Sequence, residues 1–302
     1  MVEILTRAGF FFLLIVLGYV LKKLKVLTKE DGVTLSRVAL NVTLPAAIIM
    51  GFRTFSFDAR LMTIPLISIA ANCLMAFVGF MMTRSSDRNT RIFYMLELPA
   101  YNIGNFTLPF VSGILGAGGV VAACLFDMGN APFCVGLNLT FAALALGESA
   151  GQKVWKQLLS VFTRPAFTAY CIMLVLSIAS IELPHQVYDF IGLVSPANAP
   201  LAMIMIGLML EFHFDSSKLR DAMMVNVLRI VLAIIIAFLF YKFAPFSQEI
   251  RKAVAITAFA PISSASPAFV SYLKGDVALV GFASTISIIL TLIIIPVLFM
   301  VL

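Results

Sequence analysis

The chain has 302 residues, of which 61% are hydrophobic and only 12% are charged, with a formal net charge of +6. Soluble globular chains contain about 45–50% apolar and about 25% charged residues, so this chain lacks the polar groups that a water-facing surface needs. The composition excludes a water-soluble enzyme and predicts a protein that lies almost entirely in the membrane. No cluster of Lys and Arg is interleaved with aromatic residues, so the positive charge is assigned to loops and not to nucleic-acid binding.

Ten apolar segments, separated by charged or turn residues, predict ten membrane-spanning helices, because a spanning helix needs about 20 residues. Their continuous apolar runs lack the alternating pattern of membrane β-strands. In chain order, segments one to ten cover residues 8–25, 32–52, 61–83, 90–116, 118–146, 165–181, 188–211, 222–243, 249–274 and 276–301.

Segments four and nine each contain two prolines next to small polar residues. The prolines are Pro99 and Pro109 in segment four, and Pro261 and Pro267 in segment nine. A proline removes a helical hydrogen bond and clashes with the preceding turn, so both helices are predicted to be interrupted. Unwound backbone at membrane depth persists only where it is buried in protein or lines a cavity. The alternative interpretation is a pair of proline kinks relaxed by packing of Ser and Asn side chains.

The two interruptions occupy equivalent positions in an internal repeat. Residues 110–116 align without gaps on residues 269–275, with identical Phe, Val, Ser and Gly positions. An odd number of helices in each half gives the halves opposite topology. The sequence therefore predicts two inverted five-helix repeats, residues 1–146 and 165–302, joined by a cytoplasmic connector of residues 147–164.

Loop charges orient this predicted bundle, because cytoplasmic loops carry an excess of Lys and Arg. If the first loop lies in the cytoplasm, the loops on that side contain 14 basic residues and the opposite loops contain 6. This asymmetry predicts a multi-pass cell-membrane protein with both termini outside.

Inverted repeats that each contain a discontinuous helix are typical of secondary transporters, which bind substrate at the breaks near the bilayer midplane. Half-helix ends offer backbone N–H groups to an anion and C=O groups to a cation. We expect substrate contacts from polar residues at the breaks and in segment two, namely Tyr101, Asn102, Asn105, Ser263, Ser264 and Asn41.

Other polar residues in the spans have two interpretations each. Asn41, Thr43 and Asn198 either complete the cavity wall or form hydrogen bonds between helices. Arg229 either assists the binding of an anion or extends its side chain towards the membrane surface. The sequence contains no nucleophile motif, metal-ligand spacing or ATP-binding loop, so we expect no enzyme activity and no cofactor other than a coupling ion.

Ionisable residues inside the predicted spans are candidates for ion coupling. Glu97 precedes the first break, and Asp127 lies one helical turn before Asn130 in segment five. One alternative is that Asn105, Asp127 and Asn130 hold Na⁺, a hard cation that prefers oxygen ligands. A second is that Glu97 or Asp127 carries a proton. The remaining alternatives are a structural ion pair with Arg91 or another base, and a neutral buried acid.

The sequence around both breaks resembles the auxin efflux carrier family. Residues 98–109 resemble the crossover of its fourth helix, residues 258–270 its ninth helix, residues 37–45 its second helix and residues 206–210 its seventh. The resemblance covers nearly the whole chain. The short connector replaces the long hydrophilic loop of the plant proteins, so the chain is similar to the compact prokaryotic members, which are often labelled malonate or organic-acid permeases.

The resemblance implies an all-α fold of ten transmembrane helices as two inverted five-helix repeats, with segments four and nine broken and crossing. It also implies a scaffold of segments one, two, six and seven and a transport domain of segments three to five and eight to ten. Substrate would bind at the crossing and move by an elevator motion, in a homodimer formed through the scaffold. A prokaryotic member would lie in the bacterial inner membrane.

From the residues and the resemblance together, we expect a secondary active transporter of a small organic anion, a carboxylate, coupled to Na⁺ or H⁺. The first alternative is a Na⁺-coupled symporter of a larger amphipathic acid resembling a bile acid, since the related bile-acid symporters use Na⁺ sites beside the same crossover. The second alternative is a channel or a membrane receptor that transports nothing.

Overall fold

A computed structural model describes residues 2–55, 58–148, 154–210 and 218–302. In these residues all regular secondary structure is helical, and β-structure is limited to one isolated bridge. Residues 149–153 of the predicted connector, and residue 211 at the end of predicted segment seven, lie outside the described residues.

Every predicted segment contains one or two of the described helices, with ends that differ from the prediction by a few residues. In chain order these helices are α1 (Val2–Lys23), α2 (Lys29–Phe52), α3 (Ala59–Met82), α4 (Arg88–Glu97), α5 (Ile103–Ile114), α6 (Ala117–Ala145), α7 (Val154–Thr163), α8 (Pro165–Ile178), α9 (His185–Met209), α10 (Leu219–Phe243), α11 (Gln248–Thr257), α12 (Ser266–Tyr272) and α13 (Val277–Val301).

The helix α7 was not predicted, because it lies inside the sequence assigned to the connector. Its residues Val154–Ser160 mix Trp, Leu and Val with Lys and Gln, so the segment has too few apolar residues to span a membrane. The chain bends by 78° between α7 and α8. The second half of the connector is therefore helical and not an irregular loop.

Six helices in the described part of the chain are long and apolar enough to cross a membrane, namely α2, α3, α6, α9, α10 and α13. The bent pair of α7 and α8 would make a seventh span. Large apolar side chains cover the outer surface, and Phe10, Phe77 and Leu193 are 58%, 57% and 80% exposed. Such a surface is unstable in water and stable in lipid, as expected for a multi-pass membrane protein.

Two glycines bring the backbones of α1 and α9 into direct contact. A Cβ atom built on Gly18 would overlap the carbonyl oxygen of Ile204, and one built on Gly207 would overlap the carbonyl oxygen of Ile15. In lipid, close van der Waals packing of this kind is a main source of helix association. The two glycines therefore fix how α1 and α9 pack.

Most other contacts lie within two groups of helices, which touch each other where α2 packs against α6. In one group, α2 packs against α8 and α9. In the other, α3 packs against α6, and α10 packs against α11 and α13. The contact between α6 and α11 joins the N-terminal and C-terminal halves of the chain.

Segments four and nine are each interrupted. Between α4 and α5 the backbone is non-helical from residue 98 to residue 102, and between α11 and α12 it is non-helical from residue 258 to residue 265. The chain re-enters a helical conformation in a π-helical turn at the start of α5. Both interruptions are predominantly buried, so their polar backbone groups need partners inside the protein.

The prolines lie in or close to the two interruptions. Pro99 and Pro261 lie within the non-helical stretches. Pro267 is the second residue of α12, where a proline breaks no helical bond because the first N–H groups have no partner within the helix. Pro109 lies inside α5, where the π-helical turn changes to a regular α-helix.

Candidate functional site

The two interruptions lie against each other inside the bundle. Tyr101 and Ile262 form an isolated antiparallel β-bridge, next to which the Asn102 amide donates to the Pro261 carbonyl at 2.9 Å. The ends of α4, α5, α11 and α12 lie within a few residues of this bridge. The structure thus places the free backbone groups of four helix ends around one crossing point, called the crossing below.

Two buried asparagines hold the first interruption. The Asn72 side chain on α3 accepts a hydrogen bond from the Ala100 amide at 2.6 Å. The Asn130 side chain on α6 accepts from the Tyr101 amide and donates to the Tyr101 carbonyl, both at 2.9 Å. Ala100 has a φ of 63°, a left-handed conformation that is disfavoured for alanine. The two asparagines replace helical hydrogen bonds and stabilise this backbone.

Two hydroxyl groups on α13 hold the second interruption in a comparable way. The Ser287 hydroxyl accepts from the Ile262 amide at 3.1 Å, and the Thr291 hydroxyl donates to the Phe259 carbonyl at 3.1 Å. Both side chains are buried. They lie one helical turn apart, so a single face of α13 holds the unwound segment near its start and in its middle.

A cavity of about 270 Å³ lies on one side of the crossing. It is lined by all six residues that the sequence predicted for substrate contact, namely Asn41, Tyr101, Asn102, Asn105, Ser263 and Ser264. In the described part of the chain, the side chains of Asn102 and Ser264 have no hydrogen-bond partner. One amide and one hydroxyl, each from a different interruption, are therefore available to a ligand.

Among the described residues the buried Tyr101 hydroxyl has no hydrogen-bond partner, whereas the other predicted contact residues, Asn41, Asn105 and Ser263, are partly occupied by the protein itself. The Asn105 side chain accepts from the Ser36 hydroxyl at 3.4 Å, and the Asn41 side chain donates to the Arg37 carbonyl at 2.7 Å. The Ser263 hydroxyl lies 3.5 Å from the Cys134 thiol. These side chains shape the cavity wall and have fewer groups free for a ligand than Asn102 and Ser264.

Thr43 and Asn198, the other candidates for the cavity wall, join two helices instead. The Thr43 hydroxyl on α2 donates to the Asn198 side chain on α9 at 3.1 Å, and both residues are buried. Neither residue lines the cavity. The helix-to-helix interpretation is the one that the structure supports for this pair.

Two arginines line the cavity, although from the sequence alone they were counted only as loop charges. They are Arg37, in the N-terminal half of α2, and Arg164, between α7 and α8. Both side chains are exposed. Among the described residues neither forms an ion pair. The sequence signal was weak, because 127 residues separate them and only the fold brings them to one cavity.

The predicted coupling residues fall into two separate places. Asp127 lines the cavity, where its carboxylate accepts from the Tyr170 hydroxyl at 3.0 Å and from the Asn130 amide at 3.1 Å. Glu97 is fully buried, lies outside the cavity lining and accepts from the Ser266 hydroxyl. The structure therefore brings Asp127 and Asn130 together and leaves Glu97 apart.

The structure also limits the alternatives for these acids. Arg91 donates to the carbonyl of Ala145 and forms no ion pair with Glu97 or Asp127, so pairing with Arg91 is wrong. Within the described ranges no three His, Cys, Asp or Glu side chains cluster as metal ligands. A Na⁺ site at Asn105, Asp127 and Asn130 would thus depend on amide and backbone oxygens in addition to one carboxylate.

Arg229 differs from both of its sequence interpretations. Its side chain is buried, it does not line the cavity, and it points to the crossing from α10 instead of extending to the membrane surface. Its guanidinium donates to backbone carbonyls of both interruptions.

An all-helical membrane bundle with a polar cavity beside two interrupted helices has the features of a membrane transporter. Residues 4–143 match the family model described as "Membrane transport protein". The chain is also 31% identical over 229 residues to an uncharacterized transporter of Methanothermobacter thermautotrophicus, with 74% of each chain covered. The chain therefore belongs to this family of membrane transporters, the auxin efflux carrier family, and resembles its prokaryotic members. It is a transporter and not an enzyme.

Proposed function

We propose that the protein is a secondary active transporter that moves a small organic anion, a carboxylate, across the membrane by an elevator-type alternating-access mechanism. The observation that carries this proposal is the pair of free polar groups, the Asn102 amide and the Ser264 hydroxyl, at the cavity beside the crossing. Each comes from a different interruption, so a substrate that binds both is held by both halves of the chain. Neutral donors bind a carboxylate without the strong trapping of a buried charge.

Charge and size favour a small anion. Arg37 and Arg164 line the cavity and form no ion pair in the described residues, and their two positive charges outnumber the one carboxylate of the lining, Asp127, which favours anions. A volume of about 270 Å³ is slightly below the usual range of small-molecule sites, which is roughly 300–1,000 Å³. The alternative of a larger amphipathic acid needs a wider cavity.

A second cavity supports alternating access over the channel alternative. It has a volume of about 340 Å³, and Ala47 and Gly51 of α2 line it. Leu44, one turn earlier on α2, lines the first cavity, and the neighbouring Ile48 is fully buried. The two cavities thus follow one another along α2 with packed side chains beside them, whereas a channel needs a continuous water path.

The proposal includes the complete predicted architecture. In it, residues 1–146 and 165–302 form two inverted five-helix repeats, α1, α2, α8 and α9 form the scaffold, and α3–α6 and α10–α13 form the transport domain. The two groups of packing contacts support this division. The scaffold joins two copies in a homodimer, and both termini lie outside the cell membrane.

The substrate site is tested by replacing Asn102 and Ser264 together with alanine. Each lost hydrogen bond to a charged group is worth about 1.5–3 kcal/mol, so we expect the double variant to lower transport efficiency roughly a hundredfold or more. The measurement is gradient-driven uptake of labelled acetate, lactate, malonate and succinate into proteoliposomes, after a thermal-shift screen has ranked these acids with the wild-type protein.

The matched control replaces Asn89 and Ser271, an exposed Asn and Ser outside the cavity, with alanine. This control is expected to retain wild-type uptake. Unchanged uptake by a folded Asn102→Ala/Ser264→Ala variant would place the substrate elsewhere. Binding of an acid without its movement in sealed vesicles would instead support the receptor alternative.

Coupling is tested with Asp127→Asn, which keeps the shape of the side chain and its neighbours Tyr170 and Asn130 but removes the charge. Uptake by the wild type is expected to depend on an applied Na⁺ or pH gradient, and uptake by the variant is expected to lose that dependence. The same measurement on Glu97→Gln tests the second acid. Wild-type uptake that responds to neither gradient contradicts the coupling assignment.

A further inference from the structure

Arg229 lies near the middle of a membrane-length helix. It is ten residues after the start of α10 at Leu219 and fourteen before its end at Phe243. Its side chain is only 5% exposed. A charged side chain at this depth is costly, so it persists only with partners that meet its charge and all its donors.

These partners are backbone carbonyl oxygens of both interruptions. One terminal nitrogen, Nη1, donates to the carbonyl of the last residue of α4 and to two carbonyls of the first interruption, and the other, Nη2, donates to two carbonyls of the second interruption, at 3.0–3.3 Å apart from a shorter bond to Leu98. The acceptors are Glu97, Leu98, Ala100, Ala260 and Pro261.

Aromatic contact completes the surroundings of the guanidinium. Its central carbon lies 5.2 Å from the centre of the Tyr101 ring, within the range of a cation–π interaction. Among the described residues Arg229 forms no ion pair, and the nearby Glu97 carboxylate bonds to Ser266 instead. The positive charge is therefore contacted directly by carbonyl dipoles and one ring, and the buried Glu97 carboxylate attracts it from a longer distance without forming an ion pair.

The carbonyls need such a partner for a simple reason. The C-terminal ends of α4 and α11 carry partial negative charge and leave carbonyl oxygens without helical partners. The bilayer core contains no bulk water that could donate hydrogen bonds to these carbonyls. In other transporters, unwound carbonyls and half-helix C-terminal ends coordinate a bound Na⁺ or H⁺.

We propose that Arg229 is a cation built into the chain, which takes the place that a bound inorganic cation would otherwise fill between the two sets of carbonyls. The crossing is then complete without a bound cation, and any coupling ion acts elsewhere, for example at Asp127. Arg229 is a positioning residue, because it contacts both unwound segments and not the cavity. The planar fork of a guanidinium presents donors on two separate nitrogens to the two segments, whereas an ammonium has three donors on a single atom.

The test removes the built-in cation and offers a free one. Purified Arg229→Ala is expected to unfold at a lower temperature than wild type, and millimolar guanidinium is expected to raise its Tm selectively over Na⁺ and tetramethylammonium. Carboxylate uptake by Arg229→Ala is expected to fall at least about tenfold, which corresponds to about 1.4 kcal/mol, and to recover in part with guanidinium. In the wild type, guanidinium is expected to raise neither the Tm nor the uptake.

The matched control is Arg251→Ala. Arg251 also donates to a carbonyl, that of Tyr241 at 3.0 Å, and lies over the Tyr241 ring, but it serves one element away from the crossing. Guanidinium is expected to restore nothing in this variant. Guanidinium that stabilises Arg229→Ala no more than it stabilises Arg251→Ala overturns the proposal.

Two further variants decide the outcome if Arg229→Ala does not fold. Arg229→Lys keeps a charge with fewer donors and is expected to fold with a lowered Tm, whereas the neutral Arg229→Met is expected to fail or to be less stable still. A wild-type Tm for Arg229→Met overturns the proposal.

The inference about Arg229 rests on the proposed transport function only where uptake is the measurement. Guanidinium binding without any uptake by wild type would leave it standing and refute the transport function.

Discussion

Replacing Asn130 with alanine is expected to remove most transport activity and about 2–6 kcal/mol of stability. The Asn130 side chain is the partner of both the amide and the carbonyl of Tyr101, and it is fully buried. Its loss leaves two backbone groups unsatisfied, each at a cost of about 1–3 kcal/mol. The variant also frees the Asp127 carboxylate from one of its donors. The measurement is thermal unfolding in detergent together with uptake into proteoliposomes.

Asn226→Ala is the matched control for this prediction. Asn226 is equally buried, and its side chain donates to the carbonyls of Ala222 and Ala283, which belong to regular helices. These carbonyls lie within helices that supply other backbone donors, so a smaller loss of stability is expected, with substrate affinity unchanged. An Asn130→Ala variant as stable and active as Asn226→Ala would show that the Tyr101 backbone does not need its clamp.

Gly18→Val is expected to give the largest loss of folded protein, because the new side chain has no room. Its Cβ would overlap the carbonyl oxygen of Ile204, and backbone on α9 cannot move aside as a flexible side chain can. Overpacking of a well-packed contact costs about 1–3 kcal/mol and occasionally more, and a backbone clash belongs at the upper end. The expected result is a reduced yield of monodisperse protein by size-exclusion chromatography and a lowered Tm.

The control for this substitution lies on the same helix. Gly9 is also on α1, and a Cβ built there meets no atom within 4 Å. Gly9→Val is therefore expected to leave yield and Tm near those of wild type, since its added methyl groups enter open space at the lipid surface. Equal behaviour of the two variants would contradict the close packing of α1 on α9.

The helices and both interruptions could be predicted because their signals are local in the sequence. Apolar runs set the segments, and Pro99 and Pro261 lie where the helical hydrogen bonds stop. The polar residues at the two interruptions were predicted to lie inside the protein, because unwound backbone at membrane depth must be buried or line a cavity. Their contact with a substrate stays a prediction, as do the coupling roles of Asp127 and Glu97.

Partners from distant parts of the chain could not be predicted. Arg229 contacts carbonyls that lie 31 to 132 residues away in the sequence, and its sequence neighbours carry no sign of them. Asn72, Ser287 and Thr291 were missed for the same reason, although a polar residue inside an apolar segment was a signal that could have found them. Arg37 and Arg164 were counted as loop charges, since only the fold brings these two distant residues to one cavity.

The bond that joins the two interruptions directly, without Arg229 between them, uses main-chain atoms only, from the Asn102 amide to the Pro261 carbonyl. Any residue except proline at position 102 retains that donor, and the side chain beside it projects independently of the bond. Evolution can therefore exchange the recognition groups at positions 102 and 264 without dismantling the joint that holds them. Relatives can therefore bind different substrates while the main-chain contact between the two interruptions stays the same.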